Sequence, residues 1–246
     1  MSDPLATSFG RAARTYEAGR PSYPEAAVAW LLGGPERPRP RVLDVGAGTG
    51  KLTRAVLASG AEVVAVDPDP DMLAVLREQV PGVPTMVGTA EALPVPDGCV
   101  DVVVLGQAWH WVEPVAGCRE VARVLRPGGH LGLVWNTRDE SVPWVARLTR
   151  IMRGSNAEAM LAAGDPPLAA PFSADRLERA TWTWSREVTR ADLLAMARSR
   201  SYVITAEPRE LERIERELAD LLDEVGATGD AAVALPYVTS AFRAAA

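Results

Sequence analysis

The stretch Arg41-Val42-Leu43-Asp44-Val45-Gly46-Ala47-Gly48-Thr49-Gly50 decides the fold. A compact apolar run closes on three alternating glycines, and Leu52–Ser59 then reads as a helix that Gly60 stops. Strand, glycine turn and helix in that order open a βαβ unit, and the pattern recurs downstream. Glu62–Val66 is a β-branched strand ending in Asp67, followed by a helix from about Asp69 to Gln79. Thr85–Val87 and Val100–Leu105 read as further strands. Pro114–Leu125 reads as a helix stopped by Pro127-Gly128-Gly129, and His130–Trp135 as a fifth strand. Their apolar runs (Val63-Val64-Ala65-Val66, Val102-Val103-Val104-Leu105) are continuous rather than alternating. That pattern suits a parallel sheet covered by helices on both faces. The expected fold class is α/β, a Rossmann-like doubly wound sheet.

Outward from this core, residues 41–137, the pattern loosens. Residues 1–40 are polar and Arg-rich with one helix, Pro24–Leu32, and a Pro-rich end, Pro35–Pro40; they are expected to form an N-terminal helical lid segment. Residues 138–246 are expected to supply the remaining strands. There Val142–Ala163 reads as a helix, Leu177–Thr189 as a strand around the alternating Thr181-Trp182-Thr183-Trp184, and Ala231–Phe242 as a last strand. Thr189–Ser199 and Pro208–Val225 are helical; in the latter, Leu211, Ile214, Leu218, Leu221, Leu222 and Val225 fall at helical steps. If the two late strands pair, the helices between them, about 189–229, form a cap inserted into a hairpin.

Composition bounds the function. Over 246 residues, 48% are hydrophobic and 24% charged, which is globular. A net charge of −6 repels phosphate backbones, so no nucleic-acid partner is expected. The run Val102–Val112 is too short to span a bilayer and the N-terminus lacks a signal-peptide core, so a cytoplasmic protein without a membrane partner is expected. Cys99 and Cys118 make neither a disulfide framework nor a metal-ligand set, and no metal is expected. A monomer or a homodimer fits equally well.

A glycine loop after the first strand lets backbone approach a ligand and presents helix N–H groups to it. Dinucleotides and S-adenosylmethionine are the two cofactor classes held this way. The dinucleotide pattern needs a sixth-position glycine, where this chain has Lys51, its single lysine. Asp44, two residues before Gly46, can accept N–H bonds from the turn or anchor an ammonium group. Asp67 ends the second strand, where an acid takes a ribose diol; the bland alternative, capping the next helix, falls more naturally to Asp69.

Together, Val42–Gly50, Asp67, Gly88-Thr89-Ala90-Glu91-Ala92-Leu93-Pro94 and Arg126-Pro127-Gly128-Gly129 resemble a class I S-adenosylmethionine-dependent methyltransferase. Tyr16-Glu17-Ala18-Gly19-Arg20-Pro21-Ser22-Tyr23-Pro24 and Gln107-Ala108-Trp109-His110-Trp111 resemble more narrowly the type-11 group that includes trans-aconitate methyltransferases. The tail segments Arg198–Tyr202 and Leu235–Tyr237 fit that group too. The resemblance implies seven strands with the last antiparallel, and a methyl acceptor that is a small molecule. It implies that Gly46, Ala47 and Gly48 line the amino-acid and ribose part of the cofactor. Asp67 would bind the ribose diol, Pro68 and Met72 would lie on the adenine face, and Thr89, Ala90 and Glu91 at the adenine edge; many relatives have an acid where this chain has Thr89. Gln107 and Ala108 would sit near the sulfonium and methyl group, with Tyr16 and Arg20 closing over the site.

Methyl transfer from a sulfonium is an in-line displacement that needs alignment and exclusion of water. An ionised carboxylate needs no base, whereas a phenol, enol or amine can need one. His110 is the candidate base, with hydrogen bonding or packing as its alternative. Of Trp109 and Trp111, one is expected in the core and the other on the substrate pocket wall. Arg198, Arg200 and Tyr202 are cap residues placed to meet substrate. His130 reads as a surface or turn residue. The expected acceptor atom is an oxygen. Three rival readings remain: a nicotinamide-dependent oxidoreductase, an S-adenosylmethionine or S-adenosylhomocysteine binding module without turnover, and a methyltransferase acting on a macromolecule.

Overall fold

The structure, a computed structural model, describes residues 21–34, 39–152, 154–198 and 208–245. In the first half, α1 (Glu25–Leu31) precedes β1 (Arg41–Val45), α2 (Lys51–Ala58), β2 (Glu62–Asp67), α3 (Pro70–Gln79), β3 (Thr85–Val87) and β4 (Val100–Gly106). A 3-10 turn, Trp109–Trp111, leads to α4 (Pro114–Val124), β5 (Leu125–Arg138), α5 (Pro143–Ile151) and α6 (Asn156–Ala163). A second 3-10 turn, Ala174–Arg176, leads to β6 (Glu178–Thr189), α7 (Arg190–Arg198), α8 (Pro208–Glu224) and β7 (Ala232–Ala245).

The strands form one seven-stranded sheet in the order β3-β2-β1-β4-β5-β7-β6. Strands β1 to β5 are parallel, and β7 runs antiparallel to both of its neighbours. On one face, Val28 and Leu31 of α1 and Leu52 and Val56 of α2 pack on Val42, Val63, Val102 and Val104. Leu73 and Leu76 of α3 meet Ala65. On the other face, Cys118, Val121 and Val124 of α4 pack on Leu43, Val103, Leu131 and Leu133. Strand order reverses between β1 and β4, which opens a crevice beyond their carboxyl ends.

A third apolar cluster belongs to the hairpin. Val145 and Leu148 of α5, Leu193 of α7 and Ile214, Leu218 and Leu221 of α8 bury one another against Val188, Leu235 and Tyr237. The helices between β6 and β7 are thus inserted into a hairpin whose strands pair from Glu178↔Arg243 to Thr189↔Ala232.

Four expectations need correction. Helix α4 ends at Val124, one residue short of Leu125, because Leu125 is already extended and opens β5, which begins there rather than at His130. Val142–Ala163 is two helices, not one: Ser155 and Glu158 form a capping box that starts α6 afresh. His130 is buried, its Nε2–H facing the Leu31 carbonyl at 2.8 Å, so it ties β5 to the end of α1. Within the expected lid 1–40, α1 is built into the helical layer on the sheet, with Leu31 against Gly132; residues 1–20 and 35–38 lie outside the described residues.

Candidate functional site

The crevice beyond β1 and β4 is shaped by backbone. Gly46, Gly48 and Gly50 all have positive φ, 67°, 55° and 90°, in the left-handed region that glycine adopts without steric cost. A Cβ on Gly46 would lie 2.6 Å from the Ala108 Cβ, so the turn after β1 and the turn after β4 touch there without a side chain between them. The amides of Gly46 and Ala47 donate to the Val66 carbonyl, which draws the glycine turn against the end of β2. Asp67 then receives the Gly48 N–H on Oδ2 at 2.8 Å and the Asp69 N–H on Oδ1 at 2.9 Å.

Burial, opposed by those two amides, raises the Asp67 pKa above the ordinary carboxylate value. Asp44 is fully buried inside β1. Its Oδ2 accepts the Thr53 hydroxyl at 2.6 Å, and its Oδ1 has no hydrogen-bond partner. Desolvation pushes its pKa up to about 7. Asp69 caps α3 through the amides of Asp71 and Met72, which leaves Asp67 outside that task.

Across the crevice Gln107 has φ 58°, a left-handed conformation rare for a residue with a side chain. Its Nε2 donates to the Asn136 carbonyl at 2.8 Å, and its own amide to the Val134 carbonyl. Pro21, Tyr23, Gly46–Thr49, Lys51, Leu52, Gly106, Gln107 and Asn136 line a narrow cleft at this point. Lys51 is the single charged residue of that lining among the described residues. Gly106 has no room for a Cβ because the Tyr23 hydroxyl would lie 2.6 Å from it.

Of the residues expected from sequence, Gly46, Ala47, Gly48 and Gln107 line this cleft, while Ala108 closes on Gly46 and Asp67 holds Gly48. Asp67 pairs in register with Val87, so Pro68 and Thr89 follow at the same sheet edge. Gly88 lets Pro94 fold back on that edge, where a Cβ would meet the proline at 2.7 Å. Met72 is buried in the first turn of α3 and Ala90 in the main core. The Glu91 carboxylate accepts the Glu113 N–H at 2.9 Å, so one of its oxygens serves the entry to α4.

Trp109 is the core member of its pair, 1% exposed with its indole N–H on the Pro167 carbonyl. Trp111 is then the member of the pair left as the pocket-wall candidate. Trp111 is 36% exposed. The fully buried Trp135 donates its indole N–H to His110 Nδ1 at 3.5 Å. Tyr16, Arg20, Arg200 and Tyr202 and the side chain of Arg198 lie outside the described residues. Sequence reasoning gave no site role to Pro21, Tyr23, Thr49, Lys51, Leu52 or Asn136. Asn136 was findable as a polar residue continuing an apolar strand.

The cleft suits an adenosyl sulfonium amino acid. Gly48 leaves open space where a Cβ would stand, a buried acid ends β2, and the unpartnered Asp44 Oδ1 beneath the turn offers a further acceptor. Among the described residues no helix is long and apolar enough to cross a membrane.

Comparison with known proteins agrees. The profile of a methyltransferase domain family matches residues 43–133. An uncharacterized methyltransferase of Mycobacterium tuberculosis is 45% identical over 98% of this chain and 96% of its own length. The malonyl-[acyl-carrier protein] O-methyltransferase of Methylococcus capsulatus is 39% identical over 52% of this chain and 49% of its own. A solved structure of a putative type II methyltransferase from Anaeromyxobacter dehalogenans superposes with a TM-score of 0.59 at 22% identity, covering 91% of this chain and 97% of that one. The glycine turn, the acid ending β2 and the seven-stranded order with β7 reversed make this chain a member of the class I S-adenosylmethionine-dependent methyltransferases.

Proposed function

We propose that the chain transfers a methyl group from S-adenosylmethionine to an oxygen, carboxylate or hydroxyl, of a small-molecule acceptor by in-line displacement. The observation that carries this reading is the meeting of the two tight turns beyond β1 and β4, at Gly46 and Ala108, in a cleft with no room for a side chain between them. When bound, the cofactor supplies an electrophilic methyl carbon whose bonding pair to sulfur leaves with the sulfur as the acceptor oxygen forms its own bond to that carbon.

In this reading Gly46, Ala47 and Gly48 hold the amino-acid and ribose portion through backbone, and Asp67 uses its remaining lone pairs for the ribose hydroxyls. Pro68 and Met72 lie against adenine, with Thr89, Ala90 and Glu91 at its edge. Gln107 and Ala108 stand beside the reacting carbon. The left-handed backbone of Gln107, held by Val134 and Asn136, keeps that wall in place without reorganisation during the transfer. Tyr16 and Arg20 close the cleft, and Trp111, Arg198, Arg200 and Tyr202 meet the acceptor.

An oxygen acceptor has two supports. A carboxylate is already ionised and needs no base. His110 is poorly disposed to be one, because a Trp135 N–H on Nδ1 leaves the neutral ring's proton on Nε2. The second support is the name of the Methylococcus relative, which records methylation at oxygen.

Calorimetric titration with S-adenosylmethionine, S-adenosylhomocysteine and NADH tests the cofactor. Uptake of the two sulfur ligands and silence with NADH is expected; silence with all three removes the reading. Incubation with methyl-labelled cofactor and a panel of small carboxylic acids, phenols and amines tests the acceptor. Label recovered only on nitrogen would overturn the oxygen assignment, and no turnover with any acceptor would favour a binding module.

A further inference from the structure

Asn136 sits where three parts of the molecule meet, and all of its polar groups are engaged. It is 9% exposed and lines the cleft. Its carbonyl accepts from Gln107 Nε2 at 2.8 Å, its Nδ2 donates to the Ser22 carbonyl at 3.0 Å, and its Oδ1 accepts the Thr239 hydroxyl at 2.7 Å. Thr239, fully buried and directly opposite Asn136 in the β5–β7 register, accepts in turn from the Trp184 indole N–H at 2.8 Å.

The direction of this chain is forced by chemistry. An indole nitrogen can only donate and a carbonyl only accept, so the Trp184 N–H points at the Thr239 oxygen and the Asn136 Nδ2 at the Ser22 carbonyl. That turns Oδ1 toward Thr239, whose hydroxyl proton it accepts. Trp184 is stacked on Tyr237 with ring centroids 5.0 Å apart, and the Tyr237 hydroxyl contacts the Met196 sulfur of α7 at 3.9 Å. The chain therefore begins at the root of the helices inserted between β6 and β7 and ends at the backbone of Pro21–Tyr23. Both Pro21 and Tyr23 line the cleft.

We propose that Asn136 is a positioning residue, through which a one-way hydrogen-bond chain from Trp184 and Thr239 fixes two walls of the cleft, Pro21–Tyr23 and Gln107. The cofactor reading enters only through the probe ligand. Replacing the carboxamide by a carboxylate keeps its shape but sets an acceptor against the Ser22 carbonyl, so the anchor becomes repulsive. Removing the Thr239 hydroxyl leaves Oδ1 without its donor and loosens the carboxamide at that end; a serine in its place restores the relay.

The experiment compares wild type, Asn136→Asp, Thr239→Val and Thr239→Ser by calorimetry with S-adenosylhomocysteine and by amide hydrogen exchange of the segment around Tyr23. Asn136→Asp is expected to weaken binding about tenfold, the effect of losing one buried hydrogen bond and leaving its partner unpaired, and to speed exchange around Tyr23. Thr239→Val should move both readouts the same way by less, and Thr239→Ser should match wild type. Folded Asn136→Asp with wild-type affinity and protection would overturn the proposal, as would Thr239→Ser behaving like Thr239→Val. If Asn136→Asp does not fold, the valine and serine variants decide. If wild type does not take up the ligand, the cofactor reading fails while the exchange comparison still decides the anchor.

Discussion

The parallel half of the sheet and the β6–β7 hairpin bury their residues by different rules. In β1, β2 and β4 most residues are buried whichever face they point to, and the strands are five to seven residues long. In β6, twelve residues long, half-buried and exposed positions alternate, and Val188 alone is fully buried. The parallel half spends its carboxyl ends on backbone geometry: left-handed glycines, a left-handed Gln107 and amides aimed at Asp67. The hairpin contributes side chains, with a separate apolar core of its own and one buried polar chain that reaches the cleft. Damage to the first half should therefore appear as lost ligand binding, and damage to the second as lost stability.

The largest effect is expected at Gly46. Valine there puts a β-branched side chain at φ 67° and a Cβ 2.6 Å from Ala108. Backbone strain and overpacking together cost about 4 kcal/mol, so titration should show no measurable uptake of S-adenosylhomocysteine. The matched lesion in the other half is Leu218→Ala. Leu218 is fully buried among α5, α7 and β7, and its truncation should cost about 3 kcal/mol in denaturant unfolding. Affinity for S-adenosylhomocysteine should stay within about twofold of wild type, as additivity of distant sites requires. A parallel collapse of affinity in Leu218→Ala would break the division of labour.

The same division explains what the sequence made legible. Short continuous apolar strands punctuated by glycine and proline leave strong local signals, and β1 and β3 were expected with their observed bounds. Asp69 as the cap of α3 followed from its place before Pro70. Less visible was whatever depends on residues far apart in the chain. Pro127 marked the end of α4 but not that β5 had already begun. The α5–α6 break hid in Ser155 and Glu158, a local signal overridden by helical composition on either side. Neither Asn136 nor Tyr23 carries a motif of its own; their places in the cleft follow from β5 lying beside β4 and β7 and from the route of the chain before α1. His130 reads as polar, and only the packing of α1 over β5 accounts for its burial.

Asp67→Ala should separate binding from folding within the parallel half. The carboxylate joins Gly48 and Asp69 through backbone amides, so its loss leaves two donors to find water. Hydrogen bonds from a ribose diol to the carboxylate would together contribute about 2 kcal/mol to a bound ligand. A roughly thirtyfold weaker affinity for S-adenosylhomocysteine is expected by calorimetry, with a much smaller change in melting temperature than Leu218→Ala produces. Unchanged affinity would remove Asp67 from the cofactor site.

The last effect is the most specific, because it depends on one buried proton. Asp44 titrates near 7 in the folded protein against an ordinary value of 3.8, mainly because burial penalises its charge. Between those two values the folded chain holds a proton that the unfolded chain has lost. Its contribution to stability is therefore complete below about pH 4 and declines as pH rises toward 7, with a slope of at most about 1.4 kcal/mol per pH unit. Asn in its place keeps an acceptor for the Thr53 hydroxyl and cannot ionise. Melting temperatures of wild type and Asp44→Asn measured from pH 5 to 8 should diverge in slope: wild type loses ground to the variant as pH rises to 7, and the gap then stays constant. Parallel profiles would mean that Asp44 is ionised throughout, and that the unpartnered Oδ1 finds its compensation in a group other than its own proton. The comparison is sharpened either way, since the hairpin's buried chain from Trp184 to Asn136 is neutral at every link and should show no such slope.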